Sequence, residues 1–400
     1  MNPRFREIAG ALSAPGWQLY FDVSPLFEEH WTGIPAVAAG LARALLDTLP
    51  EHVHFFYEHH LVACAAIEEA LARRSGLYLL RDFFDGPAQA GKLPALAART
   101  RAIGLYPSVK RVSQIFPIEC SIYHDLSTLI TPRFHLLENI RHHQKGLVDD
   151  LRTNDLTFGV SQATVDDLKA YLGAPEDRVF VAHNGVSWPW WYPIEAYNAP
   201  TPGREDPYFL VLGTREPRKN LARVFELLAL FPELLATSRF VIAGRIGWLG
   251  EQERMPQVLE QAMATGRLML PGYVSDFEKY VLLQDAIATI YPSFFEGFGL
   301  PVLESLSLAT PVIASFSSAL PEIGGDACFY FDPFSVESLY RTLRRVLDEA
   351  PKQNPAYRAR CHEICARFTW ENMLLAILDP LIARLAETGA PARARLRAVR

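Results

Sequence analysis

The chain has 400 residues, of which 50% are hydrophobic and 21% charged, with a formal net charge of −6. That length exceeds what one hydrophobic core usually organises, so two domains are expected, and the acidic balance argues against a nucleic-acid-binding protein. The first twenty residues lack the apolar run of a signal peptide, and no stretch of about 18 uninterrupted apolar residues occurs, so a cytoplasmic chain without a spanning helix is expected.

Short β-rich runs alternate with amphipathic helical runs, which predicts parallel α/β architecture. In the N-terminal half, strands are expected at 17–24, 52–59, 121–126, 156–161 and 178–185, with helices at 34–50 and 161–173. Residues 91–114 carry Lys92, Arg99, Arg101, Lys110 and Arg111 and no acid. They read as a solvated face, with docking on an anionic membrane as the alternative. His124 and Asp125 stand together at 121–126. A histidine in that place is structural or catalytic, and Asp125 holds the imidazole in either case. The proline-rich stretch 188–207 shows neither helical period nor strand alternation, so 191–207 is expected to be an interdomain linker.

A second α/β series follows, with strands expected at 208–214, 239–244, 267–274, 286–293, 311–315 and 328–333. Helical segments are expected near 336–349, 355–367 and 370–388. They are followed by a basic tail with Arg393, Arg395, Arg397 and Arg400, which frays or rests on anionic lipid. The cysteines Cys64, Cys120, Cys328, Cys361 and Cys365 form no CxxC pair and are expected to be free thiols.

Ligands of open parallel sheets sit outside the carboxyl ends of the strands, and two stretches there carry chemistry. In "VLGTREPRKNLARVFELL" (211–228), Arg215, Arg218 and Lys219 stand on the first strand–helix turn, where cations can clamp a leaving diphosphate. In "YPSFFEGFGLPVLESLSLATPVIAS" (291–315), Gly297 and Gly299 let the backbone approach a ligand, and Pro301 suits the start of a helix. The N–H groups of the 299–303 turn and the helix dipole then suit an anion such as phosphate. Glu304 is placed to reach past the phosphates to a ribose diol, and Glu296 to accept hydroxyls from a sugar on the other side. No DxD pattern provides for a metal, and no G-x-G-x-x-G follows the first strand of either half, which disfavours a dehydrogenase.

Together these stretches resemble the retaining GT-B glycosyltransferases of family 4, a group that includes many bacterial mannosyltransferases. The resemblance rests on "GTREPRKN" and on Glu296 and Glu304 in "PSFFEGFGLPVLES", and extends through "GYVSD" (272–276), "TPVIAS" (310–315), "LPEIGGDA" (320–327) and "FDP" (331–333). In the N-terminal half it rests on "TGI" (32–34), "YHDL" (123–126) and "NGV" (184–186). Two positions depart from the family's pattern, Ala309 and Pro35, where glycine is common.

The resemblance implies a GT-B architecture of two Rossmann-like parallel-sheet domains facing across a cleft. Residues 1–190 would bind the acceptor, 208–370 the nucleotide-sugar, and 371–400 would supply a helix returning to the N-terminal domain plus the basic tail. It implies that Arg218 and Lys219 bind the donor diphosphate, with Gly213 and Arg215 on the same turn. Glu304 would bind the ribose, Glu296 the transferred sugar, and the amides of Phe298, Gly299 and Leu300 the phosphates or sugar. The Tyr273-Val274 backbone would face the base, Gly33 would approach the diphosphate, and His124 would contact the sugar near the reacting carbon. The implied reaction is metal-independent and cofactor-free hexosyl transfer, with GDP-mannose as the first choice of donor and a glycan or lipid-linked glycan as acceptor. UDP-glucose, GDP-fucose and dTDP-rhamnose are alternative donors. A nucleotide-sugar epimerase or hydrolase on the same fold, or a non-catalytic sensor, are alternative functions.

Overall fold

The structure is a computed structural model and describes residues 2–84, 86, 88–94, 100–198, 206–245 and 257–388. It separates into two compact units. The first comprises Met1–Leu126, Arg141–Gly185 and Phe368–Arg400, and the second Ser127–Ile140 and Val186–Arg367. Each unit holds one sheet.

The sheet of the first unit contains β1 (Gln18–Asp22), β2 (Val53–Tyr57), β3 (His60–Val62), β4 (Gln89–Lys92), β5 (Ala102–Tyr106), β6 (Ile118–Tyr123), β7 (Leu156–Gly159) and β8 (Val179–Val181). Its order is β4-β3-β2-β1-β5-β6-β7-β8, parallel except where β3 pairs antiparallel with β2 and β4. The helix Trp370–Thr388 belongs to this unit. Its Trp370 ring lies so close to Gly40 that a Cβ there would meet Cδ2 at 2.2 Å, and Asp379 accepts from Arg4 at 2.8 Å.

The sheet of the second unit contains β9 (Tyr208–Leu212), β10 (Arg239–Ala243), β11 (Leu268–Gly272), β12 (Ala288–Tyr291), β13 (Val312–Ser315) and β14 (Cys328–Phe331). All are parallel, in the order β11-β10-β9-β12-β13-β14. The order reverses direction at β9, so a crevice is expected between the carboxyl ends of β9 and β12. Both chemistry-bearing stretches of this unit emerge there.

Three expectations are corrected. The stretch read as a linker is structured over its first part: Tyr192–Asn198 is a helix whose Tyr192 and Ala196 are buried with Tyr280 and Val281, against Trp188, Trp191 and Phe277. So dense an aromatic run gains more from burial than its prolines cost. Residues 199–205 of that stretch lie outside the described residues. The basic stretch 91–114 is not one solvated face, because it contains the fully buried strand β5 and a Lys110 whose side chain is 0% exposed. Arg101 donates to the Pro15 carbonyl, and Arg99 lies outside the described residues. Finally, residues 127–140 group with the second unit and not with the N-terminal half, where Phe134 stacks on Phe294 at 5.0 Å.

Candidate active site

The turn after β9 is shaped by its backbone. Gly213 has φ +143, and a Cβ on neighbouring Gly244 would meet the Gly213 carbonyl oxygen at 1.9 Å, so these two strand ends pass only as glycines. Residues Pro217–Lys219 form a 3₁₀ turn that ends at Asn220, in the left-handed region at φ +53. The buried Asn220 Nδ2 donates to the carbonyls of Pro292 and Pro333, each at 3.0 Å, and so ties this turn to the segments after β12 and β14. Arg218 and Lys219 are thereby turned toward the loop after β12. The Arg218 guanidinium donates to the Phe295 carbonyl at 2.9 Å, and the Arg218 carbonyl accepts from the Phe294 amide at 2.9 Å.

That loop, 292–299, leads into the helix Leu300–Ser307. Gly299 caps it at φ +96, and a Cβ would strike Leu320 Cδ2 at 2.6 Å. The amides of Val302 and Leu303 both point to the Gly299 carbonyl, and Pro301 has none. The anion-facing amides expected over 299–303 therefore reduce to those of Gly299 and Leu300.

Glu296 is buried and paired. Lys219 Nζ donates to its Oε1 at 2.7 Å and the Arg218 guanidinium to its Oε2 at 3.3 Å. Arg218 also grips Glu216 at 3.0 Å, and Lys219 donates to the Tyr291 hydroxyl at 3.1 Å. Burial pushes the Glu296 carboxyl upward, but Lys219 and Arg218 outweigh it and hold the group below its ordinary value of 4.5. Burial beside Glu296 also drives the Tyr291 phenol well above its ordinary value, so it stays protonated. Two cations and two carboxylates thus form one compact cluster, and its Lys219 also lines a pocket with Gly213, Thr214, Arg215, Tyr291 and Ser293. Glu216 escaped the sequence reading; its only signal was its place two residues before Arg218.

Glu304, on the same helix, is paired separately, with Lys279 at 2.6 Å. Tyr273 and Val274 follow β11, with Tyr273 40% exposed and the Arg245 guanidinium 5.2 Å from its ring centroid. The Arg215 amide donates to the Arg245 carbonyl at 2.9 Å, which brings Arg215 and Tyr273 to the same strand ends.

Gly33 and His124 belong to the first unit. Gly33 caps the helix Ile34–Thr48 at φ +62, with nothing within 4 Å of where a Cβ would be, so backbone conformation alone calls for glycine. Pro35 lies in the first turn, where its missing N–H costs little. His124 Nε2 lies 2.6 Å from the Pro107 carbonyl and so carries the proton, which leaves Nδ1 as the acceptor. Burial holds this imidazole below its ordinary pKa, against the pull of the Pro107 carbonyl and Asp125. The Pro107 loop is itself fixed from below. Glu119 accepts from the amides of Gln114, Ile115 and Phe116 and from Lys110 Nζ at 2.9 Å, and Lys110 also donates to Thr153 at 2.7 Å. Among the described residues no group of three or more His, Cys, Asp or Glu side chains could hold a metal ion.

Comparison with known proteins places these features in context. Residues 196–362 match the glycosyl transferases group 1 family. The chain is 30% identical over 259 residues to the O-antigen chain mannosyltransferase B of Escherichia coli, a match that covers 62% of this chain and 66% of that protein. In fold it is similar to sucrose-phosphate synthase from Thermosynechococcus elongatus, with a TM-score of 0.63 at 15% identity over 94% of this chain and all of that one. It is also similar to WaaG, a glycosyltransferase involved in lipopolysaccharide biosynthesis, with a TM-score of 0.57 at 13% identity over 90% and 98% of the two chains. The two sheets, parallel except around β3, have the GT-B glycosyltransferase fold, and the second-unit sheet falls within the residues that match the glycosyl transferases group 1 family.

Proposed function

We propose that the protein transfers a hexosyl group from a nucleotide-sugar to a glycan or lipid-linked glycan, with mannose from GDP-mannose as the donor and polysaccharide or lipopolysaccharide assembly as the setting. The observation that carries this reading is the Lys219–Glu296–Arg218 cluster at the topological switch point of the second sheet. The mannosyltransferase relative supports the choice of sugar.

In this reaction the bond between the sugar's anomeric carbon and the diphosphate breaks, and its electron pair leaves with the phosphate. The acceptor hydroxyl closes on the same face, so configuration is retained, and its proton passes to the departing phosphate oxygen. Lys219, Arg218 and the Gly299 and Leu300 amides meet the charge on the leaving group, so no metal is needed. Glu296, held ionised, orients the sugar's hydroxyls, and Glu304 takes the ribose. Tyr273 and Val274 face the base, and Gly213, Arg215 and Phe298 line the donor's path. His124, neutral with Nδ1 free to accept, contacts the sugar, and Gly33 contributes its backbone to the diphosphate. No described helix is long and apolar enough to cross a membrane. Cytoplasmic placement, with peripheral binding to anionic lipid through Lys92 and Arg111, belongs to the same reading.

Thermal shift with GDP, UDP and dTDP tests the donor assignment. The cognate nucleotide at about 100 times its dissociation constant should stabilise the wild-type protein by about 2.7 kcal/mol. The same concentration should stabilise Lys219→Ala far less. Equal shifts in the two proteins would remove the diphosphate from Lys219.

A further inference from the structure

Lys279 was not among the residues the sequence pointed to, yet it is the partner of Glu304. It lies in the first turns of the helix Asp276–Asp285, started by a capping box in which Ser275 and Glu278 exchange backbone bonds at 2.7 and 3.2 Å. The ammonium faces two carboxylates and a ring. Nζ donates to Glu304 Oε1 at 2.6 Å, lies 3.2 Å from Asp276 Oδ1, and sits 5.3 Å from the Trp188 ring centroid. Trp188 is anchored in turn, since its indole donates to Ser307 Oγ at 2.9 Å and that hydroxyl donates to the Glu304 carbonyl at 2.7 Å. Lys279 and Glu304 are only 19% and 15% exposed at their side chains. Glu304 Oε2 has no hydrogen-bond partner among the described residues.

The geometry points to Lys279 as a positioning residue that fixes Glu304 through Oε1 and leaves Oε2 aimed for a ribose hydroxyl, which makes the site selective for ribose over deoxyribose. The inference rests on the reading of Glu304 as the ribose acceptor. Lys279 is itself held between Glu304 and Asp276. It offsets part of the charge of Glu304 and Asp276, which would otherwise repel the nucleotide's diphosphate more strongly, and it restricts the rotamers open to Glu304. A carboxylate held by one oxygen offers the other to a diol in a single orientation, whereas an untethered one must lose rotamer freedom on binding.

The test is equilibrium titration of GDP and UDP, each beside its 2′-deoxy and 3′-deoxy forms, into wild-type protein, E304A and K279M. The wild-type protein should prefer a ribonucleotide over one of its deoxy forms by about tenfold or more. E304A and K279M should each bring that preference to within about threefold. If E304A loses the preference and K279M keeps it, the positioning role is overturned and the Glu304 reading stands. If K279M weakens ribo and deoxy forms by one common factor, Lys279 acts through charge alone and the proposal is equally overturned. A wild-type protein without preference, or an E304A variant that keeps it, removes the Glu304 reading and this inference together. K279Q, which is neutral and polar, answers the same question if K279M does not fold, and it too should lose the preference.

Discussion

Glu296 is a carboxylate that the fold keeps charged against its burial, because Lys219 and Arg218 reach it from the neighbouring strand–helix turn. Its folded pKa is lowered, so the stability it contributes is present above the ordinary value of 4.5 and is lost as pH falls through the lower folded value. Removing one partner unbalances the others: K219A leaves Glu296 with Arg218 as its one cation, and E296Q leaves Lys219 without a carboxylate while Arg218 keeps Glu216. Each substitution should lower kcat by roughly 10² to 10³-fold if these groups act on the departing diphosphate and the sugar. Near-wild-type turnover of either variant in a steady-state assay would sink the role given to that residue. The residue names were legible in the sequence, but their pairing was not. Lys219 and Glu296 are 77 positions apart, and a run such as "PRK" reads equally well as solvated charge. Lys279 and Glu216 were invisible for the same reason, since only the fold brings each to its partner. Ala309 is a milder case. It adopts φ +53, which explains physically why glycine is common at that point of the family pattern.

At the level of elements, the strands of the second half were readable to within two residues at each end, because most of them are buried on both faces and they are punctuated by glycine and proline. In the first half β5 was hidden. It lies inside the stretch 91–114, whose basic residues read as a solvated face, and its Gly104 makes room for a ring, since a Cβ there would meet Phe116 Cδ2 at 2.4 Å. The start of β6 was obscured by Glu119, a buried charge made tolerable by its ion pair with Lys110 and by the amides of Gln114, Ile115 and Phe116. Asp22, which ends β1 and accepts from Ser24 Oγ at 2.6 Å, yields a test at this scale. Burial raises its pKa from 3.8 to about 6, opposed by the Ser24 bonds and Arg111 and aided by Glu58. A carboxyl raised in this way favours the folded state while protonated. Its contribution is complete below 3.8 and disappears as pH rises through about 6, a sign opposite to that of Glu296. Asp22→Asn keeps an acceptor for Ser24. It should flatten the stability profile between those values and stabilise the protein at pH 7 by up to about 3 kcal/mol. Denaturant melts across that range check it, and an unchanged slope would mean that Asp22 ionises as freely in the folded chain as in the unfolded one.

For the whole molecule, alternating β and helical runs were enough to expect two parallel-sheet units. Their composition was less readable, since 127–140 departs to the second unit and 188–198 is part of its packed structure, not a tether. Local pattern announces elements but not which core they join, and the stacking of Phe134 on Phe294 is settled only in three dimensions. The central claim is hexosyl transfer without a metal. It is tested most directly by mass spectrometry of a mannose-terminated lipid-linked glycan incubated with the protein, EDTA and, in turn, GDP-mannose, UDP-glucose, GDP-fucose and dTDP-rhamnose. The account predicts that GDP-mannose extends the glycan by one hexose and that the donor stays intact when the acceptor is withheld. Consumption of donor at the same rate without acceptor, or no extension with any of the four, would contradict it.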